Sequence, residues 1–97
     1  MALISVAHVP IFNTESIRQG DCIRFRRATD NVFRNGIITR LDPHQMQVLF
    51  ANLPQNTTSF MTLDAADAAI GLWEIWWTQD FVTVNYHPPA GGGGSGD

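Results

Sequence analysis

Few residues in this chain are able to do chemistry, and their spacing decides what they can do. Cys22 is the single cysteine, and the histidines are His8, His44 and His87. A reactive thiolate needs a base or a positive environment beside it. Cys22 stands between Asp21 and Ile23 at the start of an alternating segment, and no histidine lies in a motif that would bring it there. It reads as a small buried side chain. Asp64 and Asp67 have the spacing of a helix start, where carboxylates meet unpaired backbone N–H groups, rather than that of an acid–base pair. The histidines and the cysteine are too scattered for the short ligand spacings of a zinc site. The glycine run at 91–94 has no helix after it and is no phosphate loop. The sequence therefore predicts a non-enzymatic protein with no catalytic residue, no metal ligand, no cofactor and no small-molecule substrate.

The charged and aromatic residues say more. There is no lysine; the six arginines are Arg18, Arg24, Arg26, Arg27, Arg34 and Arg40, and from Asp42 onward there are acids but no base. Arginine's planar fork suits bidentate pairing with carboxylates, and halves of opposite sign suit subunits that meet plus to minus. The same arginines, interleaved with Phe25 and Phe33, also suit a phosphate-tracking face with stacking platforms. A net charge of −3 and a pI near 5.4 weigh against nucleic acid as the main partner. A third reading is that the charges pair across neighbouring strands. Trp73, Trp76 and Trp77 gather aromatic area near the C-terminus together with Phe81 and Tyr86. Trp73 and Trp77 share a face with Ile75 and read as core, whereas Trp76 points the other way. Tryptophan and arginine dominate interface hot spots, so the candidate interface is Arg24, Arg26, Arg27, Arg40 and Trp76.

The elements that must position these residues are strands. Ile37, Thr39 and Leu41 alternate with Ile38 and Arg40, and Met46, Val48 and Phe50 alternate with Gln45 and Gln47, the period of two of a pleated sheet. Asp42-Pro43-His44 breaks the run and predicts a hairpin turn. A strand is expected at 22–27, with Ile23 and Phe25 on one face and Arg24 and Arg26 on the other. Thr29-Asp30-Asn31 reads as a turn leading to Val32-Phe33, and Asn35-Gly36 is a two-residue turn signal. Residues 52–58 read as a loop, 59–63 as a short strand, and 65–70 as a helical turn capped by Asp64 and finished by Gly71. Strands follow at 72–78 and 81–86, joined by a turn at Gln79-Asp80. At the N-terminus, 3–12 reads as an extended segment that Pro10 confines to an edge or an arm.

Ninety-seven residues with 44% hydrophobic content support one domain. The expected organisation is an extended arm at 1–16, a β domain at 17–87 and a Pro/Gly-rich tail at 88–97, whose composition is that of a linker. No basic leader precedes the first apolar residues, and no run of about 18 apolar residues suggests a membrane span. A lone cysteine fits a reducing compartment. Without a secretory signal, Asn56-Thr57-Thr58 is not expected to be a glycosylation acceptor.

Short strands spaced in this way, with a helical turn before the penultimate one, predict an all-β, strongly bent antiparallel barrel with extended termini. Gly20-Asp21-Cys22-Ile23-Arg24-Phe25, then Gly36-Ile37-Ile38-Thr39-Arg40-Leu41 and Gln47-Val48-Leu49-Phe50, resemble the SH3-like barrels of the KOW and Tudor type. The resemblance covers roughly residues 17–63 and implies a fold more than an activity. The whole chain, short, lysine-free and β-rich, also resembles the small accessory proteins of tailed bacteriophages. That resemblance implies a structural subunit of an oligomeric assembly such as a virion or phage tail, assembled in the host cytoplasm, with its extended ends contacting neighbouring protein subunits. The alternative is a nucleic-acid-binding regulatory or adaptor domain that uses the arginine face.

Overall fold

Two neighbouring strands with matched apolar alternation bury one face each, and the chain builds outward from such a pair. The structure, a computed structural model, describes residues 3–5, 10–52 and 55–89. Its central hairpin joins β4 (Arg34–Leu41) to β5 (Gln45–Asn52). In the turn, Asp42 Oδ1 accepts from the backbone N–H groups of Gln45 at 2.9 Å and His44 at 3.0 Å. These bonds, that of Gln45 first, hold its carboxyl below the ordinary value.

In order, the other elements are β1 (Ile4–Ser5), β2 (Ile11–Phe12), β3 (Cys22–Arg27), β6 (Thr57–Asp64), α1 (Ala65–Ala69), β7 (Trp73–Thr78) and β8 (Asn85–His87). The main sheet is antiparallel with strand order β6-β5-β4-β3-β7-β8. It is open, with β6 at one end and β8 at the other. β1 and β2 form a separate two-stranded sheet, which is anchored by the Phe12 N–H donating to the Pro43 carbonyl at 2.8 Å. Residues 6–9 of the expected arm and 90–97 of the expected tail lie outside the described residues. Among the described residues no helix is long and apolar enough to cross a membrane.

The buried face of the sheet contributes Ile23, Phe25, Ile38, Met46, Val48, Phe50, Leu63, Trp73, Ile75 and Trp77 to the core. Leu3, Phe12 and Ile17, with Ala65 and Ala68 of α1, belong to the same cluster. Each large side chain buried in this way stabilises the fold by about 1.5–3 kcal/mol. Phe25 stands edge-on to Phe50 and Trp73, with ring centroids 5.9 and 5.8 Å apart. The Trp77 indole N–H donates to the Ser16 carbonyl at 2.9 Å, so the core carries its own tie to the loop before β3.

Four expectations are corrected. Asn35-Gly36 is no turn but lies inside β4; a Cβ on Gly36 would overlap the Leu49 carbonyl, so the glycine serves close strand approach. The chain reverses earlier, around Asp30, whose Oδ1 accepts from the Val32 N–H at 3.0 Å. Thr57 and Thr58 belong to β6 rather than to a loop. Asp64 sits at the N-cap of α1 but makes no side-chain cap; its Oδ1 accepts instead from the Gln45 side-chain amide at 2.9 Å. Finally, 81–84 is a bent loop, and only Asn85–His87 is strand.

Candidate functional site

Residues directly opposite one another in antiparallel strands share a face, so the register shows which functional side chains meet. On the face away from the core, Arg24 lies opposite Asn35 on β4 and Trp76 on β7, and Trp76 lies opposite Tyr86 on β8. Phe33, from the loop before β4, completes the group. Its ring is 5.7 Å from that of Trp76, and the rings of Trp76 and Tyr86 are 5.1 Å apart. The Arg24 guanidinium carbon stands 4.4 Å from the Phe33 centroid and 5.8 Å from that of Trp76, a cation over aromatic faces.

Glu74 organises the next row. Arg26 lies opposite it, and its Nε bonds Glu74 Oε1 at 2.5 Å. Arg26 Nη1 also donates to the carbonyl of Asp30 at 2.9 Å and to those of Arg27 and Ala28 at 3.3 Å. The Tyr86 hydroxyl donates to Glu74 Oε2 at 2.5 Å. That hydrogen bond, then partial burial and the Glu74 charge, push the tyrosine's ionisation above its ordinary value.

A groove of about 310 Å³ opens beside this group, lined among others by Cys22, Arg24, Asn35, Trp76, Phe81 and Val84. Its outer wall is the loop between β7 and β8. Asp80 Oδ1 accepts from the N–H groups of Thr83 at 2.9 Å and Val82 at 2.8 Å, which keeps its carboxyl below the ordinary range. Thr78 Oγ1 donates to the Thr83 carbonyl at 2.7 Å and accepts from the Phe81 N–H at 3.0 Å. Within this bonded loop Phe81 holds a φ of 62°, a left-handed conformation that costs a bulky residue roughly 1–3 kcal/mol. Its side chain is 76% exposed, and that of Val84 56%.

The candidate residues from the sequence are only partly gathered here. Arg24, Arg26 and Trp76 come together, and Arg26 is engaged within the chain. Trp73 and Trp77 are core, and Trp76 is half-buried. Arg27 lies opposite Trp73 on the core side, with its guanidinium 4.8 Å over that ring. The register shift between Ile38 and Arg40 places Arg40 opposite Gln47, in a row with Thr62 and with Ile37 between it and Arg24's row. Cys22, expected to be buried, is half-buried in the groove wall. His44 lies in the β4–β5 turn, and His87 Nε2 donates to the Ala68 carbonyl at 2.7 Å. His8 is outside the described residues. Phe60, Ile37 and Val84 also stand exposed on the surface. For Phe60 and Ile37 the signal in the sequence is an apolar residue at an outward strand position, whereas Val84 lies in the loop before β8.

Fold and surface together define a small antiparallel β domain with one short helix and an aromatic–arginine groove. The chain belongs to the family described as a domain of unknown function, DUF5026, whose family model matches residues 3–88. No curated protein and no solved structure matches it.

Proposed function

We propose that the chain is a non-enzymatic interaction subunit of an oligomeric assembly, and that it docks a protein neighbour in the groove between Trp76 and Phe81. The observation that carries this reading is Phe81. A loop that holds a phenylalanine in a left-handed conformation, fixed by Asp80 and Thr78, displays an apolar side chain at an energetic cost. Exposed apolar area beside a half-buried tryptophan and a cation is the composition of an interface hot spot. The chemistry that fits is a protein segment with an apolar side chain for the groove and a carboxylate for Arg24. Arg26, bonded to Glu74 and to backbone carbonyls, leaves fewer donors on this face for phosphate, which favours a protein over nucleic acid.

The sheet is read further as an SH3-like barrel. Its supports are β3 bonded on one side to β4 and on the other to β7, the irregularity at Ile38–Arg40 that bends β4, and α1 leading from β6 to β7. A virion or phage-tail particle is the assembly that the style of the sequence resembles. Salt separates the two partner classes. Docking through this groove is expected to survive moderate salt and to be lost in Trp76→Ala and Phe81→Ser. Binding that collapses steeply with salt and is competed by heparin, while those variants leave it unchanged, would overturn the reading in favour of phosphate contact.

A further inference from the structure

β6 is the end strand of the main sheet, and the direction of its backbone groups can be read from one hydrogen bond. The Ala65 N–H donates to the His44 carbonyl at 2.8 Å. The β5–β6 register runs without a shift from Gln45↔Asp64 to Asn52↔Thr57. Alternate pairs are therefore the hydrogen-bonded ones: Met46–Leu63, Val48–Met61, Phe50–Ser59 and Asn52–Thr57. Thr57, Ser59, Met61 and Leu63 direct their N–H and C=O groups to β5. Thr58, Phe60 and Thr62 direct theirs to the open edge. Among the described residues no strand pairs with that edge.

Natural sheets protect such edges with charge, proline, bulges or short length. The far end of this sheet follows the rule: β8 spans only Asn85–His87 and is followed by Pro88 and Pro89. β6 does not. It is eight residues long and unbulged, and its only charge is Asp64 at the end.

We propose that a second copy of this chain adds its own β6 here, antiparallel, about a twofold axis at Phe60. The sequence of the edge argues for a copy of itself over any other extended segment. The outward residues read Thr58, Phe60, Thr62, the same in both directions. With Phe60 opposite Phe60 of the second copy, Thr58 falls opposite Thr62, and every outward N–H and C=O of these residues finds its partner. Aromatic–aromatic and Thr–Thr pairs are among the favourable cross-strand pairs. All three side chains are exposed, Phe60 at 61%. Phe60 also ends a row that crosses the sheet through Leu49, Ile37 and Cys22. In the pair this row becomes continuous across both copies. The contact deepens the assembly reading and is independent of what the groove binds.

The test uses the full chain in sedimentation equilibrium over a range of concentrations, with circular dichroism to show that each variant is folded. The wild type is expected to dimerise. Phe60→Lys and Phe60→Glu should each weaken the dimer by roughly tenfold or more, because like charges then face each other across the axis. An equimolar mixture of the two should regain dimer as the heterodimer, a result that depends on the register. Phe60→Pro, which removes an N–H that β5 does not use, should also give monomer. A wild type that is monomeric throughout, a dimer indifferent to these changes, or a mixture that fails to recover would overturn the proposal. A monomer that still docks a protein through Phe81 overturns the edge contact alone. A Phe60-dependent dimer with no Phe81-dependent docking overturns the groove reading alone.

Discussion

Glu74 does the work of two partners at the residue scale. One carboxylate oxygen takes the Arg26 guanidinium and the other the Tyr86 hydroxyl, so it ties β7 to both of its neighbours. Tyr86 is the only tyrosine, so its ionisation can be followed by absorbance without ambiguity. The folded value is raised above 10.0 because Glu74 accepts from the neutral hydroxyl and repels the tyrosinate. The stabilisation this gives is present below the unfolded value and is lost as pH rises through the folded one. Glu74→Gln should bring the titration midpoint down toward 10.0, and an unchanged midpoint would refute the assignment. Gly36 is the second residue that acts alone. Its absent Cβ leaves room for the Leu49 carbonyl, so Gly36→Ala should cost at least about 1–3 kcal/mol in denaturant unfolding, where an exposed strand glycine would gain from the change.

At the scale of the element, the proposed docking sets the loop from Gln79 to Val84 against folding. Phe81→Gly removes the left-handed strain and should raise stability by a few tenths to about 1 kcal/mol, read as a higher melting temperature, while it weakens docking. Equal loss of both would mean that the phenylalanine is a packing residue. Asp80 makes the loop sensitive to acid. Its carboxyl is held low by the N–H groups of Thr83 and Val82, so the ordering it provides is present above the unfolded value of 3.8 and is lost as pH falls through the folded one. Protection of the Val82 and Thr83 amides, taken relative to their intrinsic exchange rates, should fall in that range, and in Asp80→Ala at any pH. The sequence made this loop look like strand because Phe81, Val82 and Val84 have strand propensity. What decided otherwise was Asp80 and Thr78 closing local hydrogen bonds, a competition that composition does not reveal. β3 and β5 were legible for the opposite reason: the buried residues Ile23 and Phe25 in one and Met46, Val48 and Phe50 in the other alternate with exposed or half-buried ones.

At the scale of the whole molecule, the described residues form a six-stranded open sheet and a separate two-stranded one, with the core on one side of the larger sheet. Which side each arginine serves was only half visible beforehand. Arg24 and Arg26 follow from simple alternation. Arg26 finds its partner 48 residues away, a pairing that only the β3–β7 register creates. Arg40 was displaced from a common patch by the register shift at Ile38–Arg40, which changes the pleat without a sequence mark. Gly36 misled because the dipeptide that permits a tight turn also permits close strand approach. The antiparallel β class was therefore legible and the groove largely not, since the groove is made by a loop against residues from three separate strands.

The most direct test of the account is isolation of the tagged chain from its native source after nuclease treatment, beside Phe81→Asp, with light scattering on each product. The account predicts a large nuclease-resistant assembly of fixed protein composition for the wild type, and its loss in a Phe81→Asp variant that still folds. A wild type recovered as a monomer whose only companion was nucleic acid removed by the nuclease, or an assembly indifferent to Phe81→Asp, would contradict it.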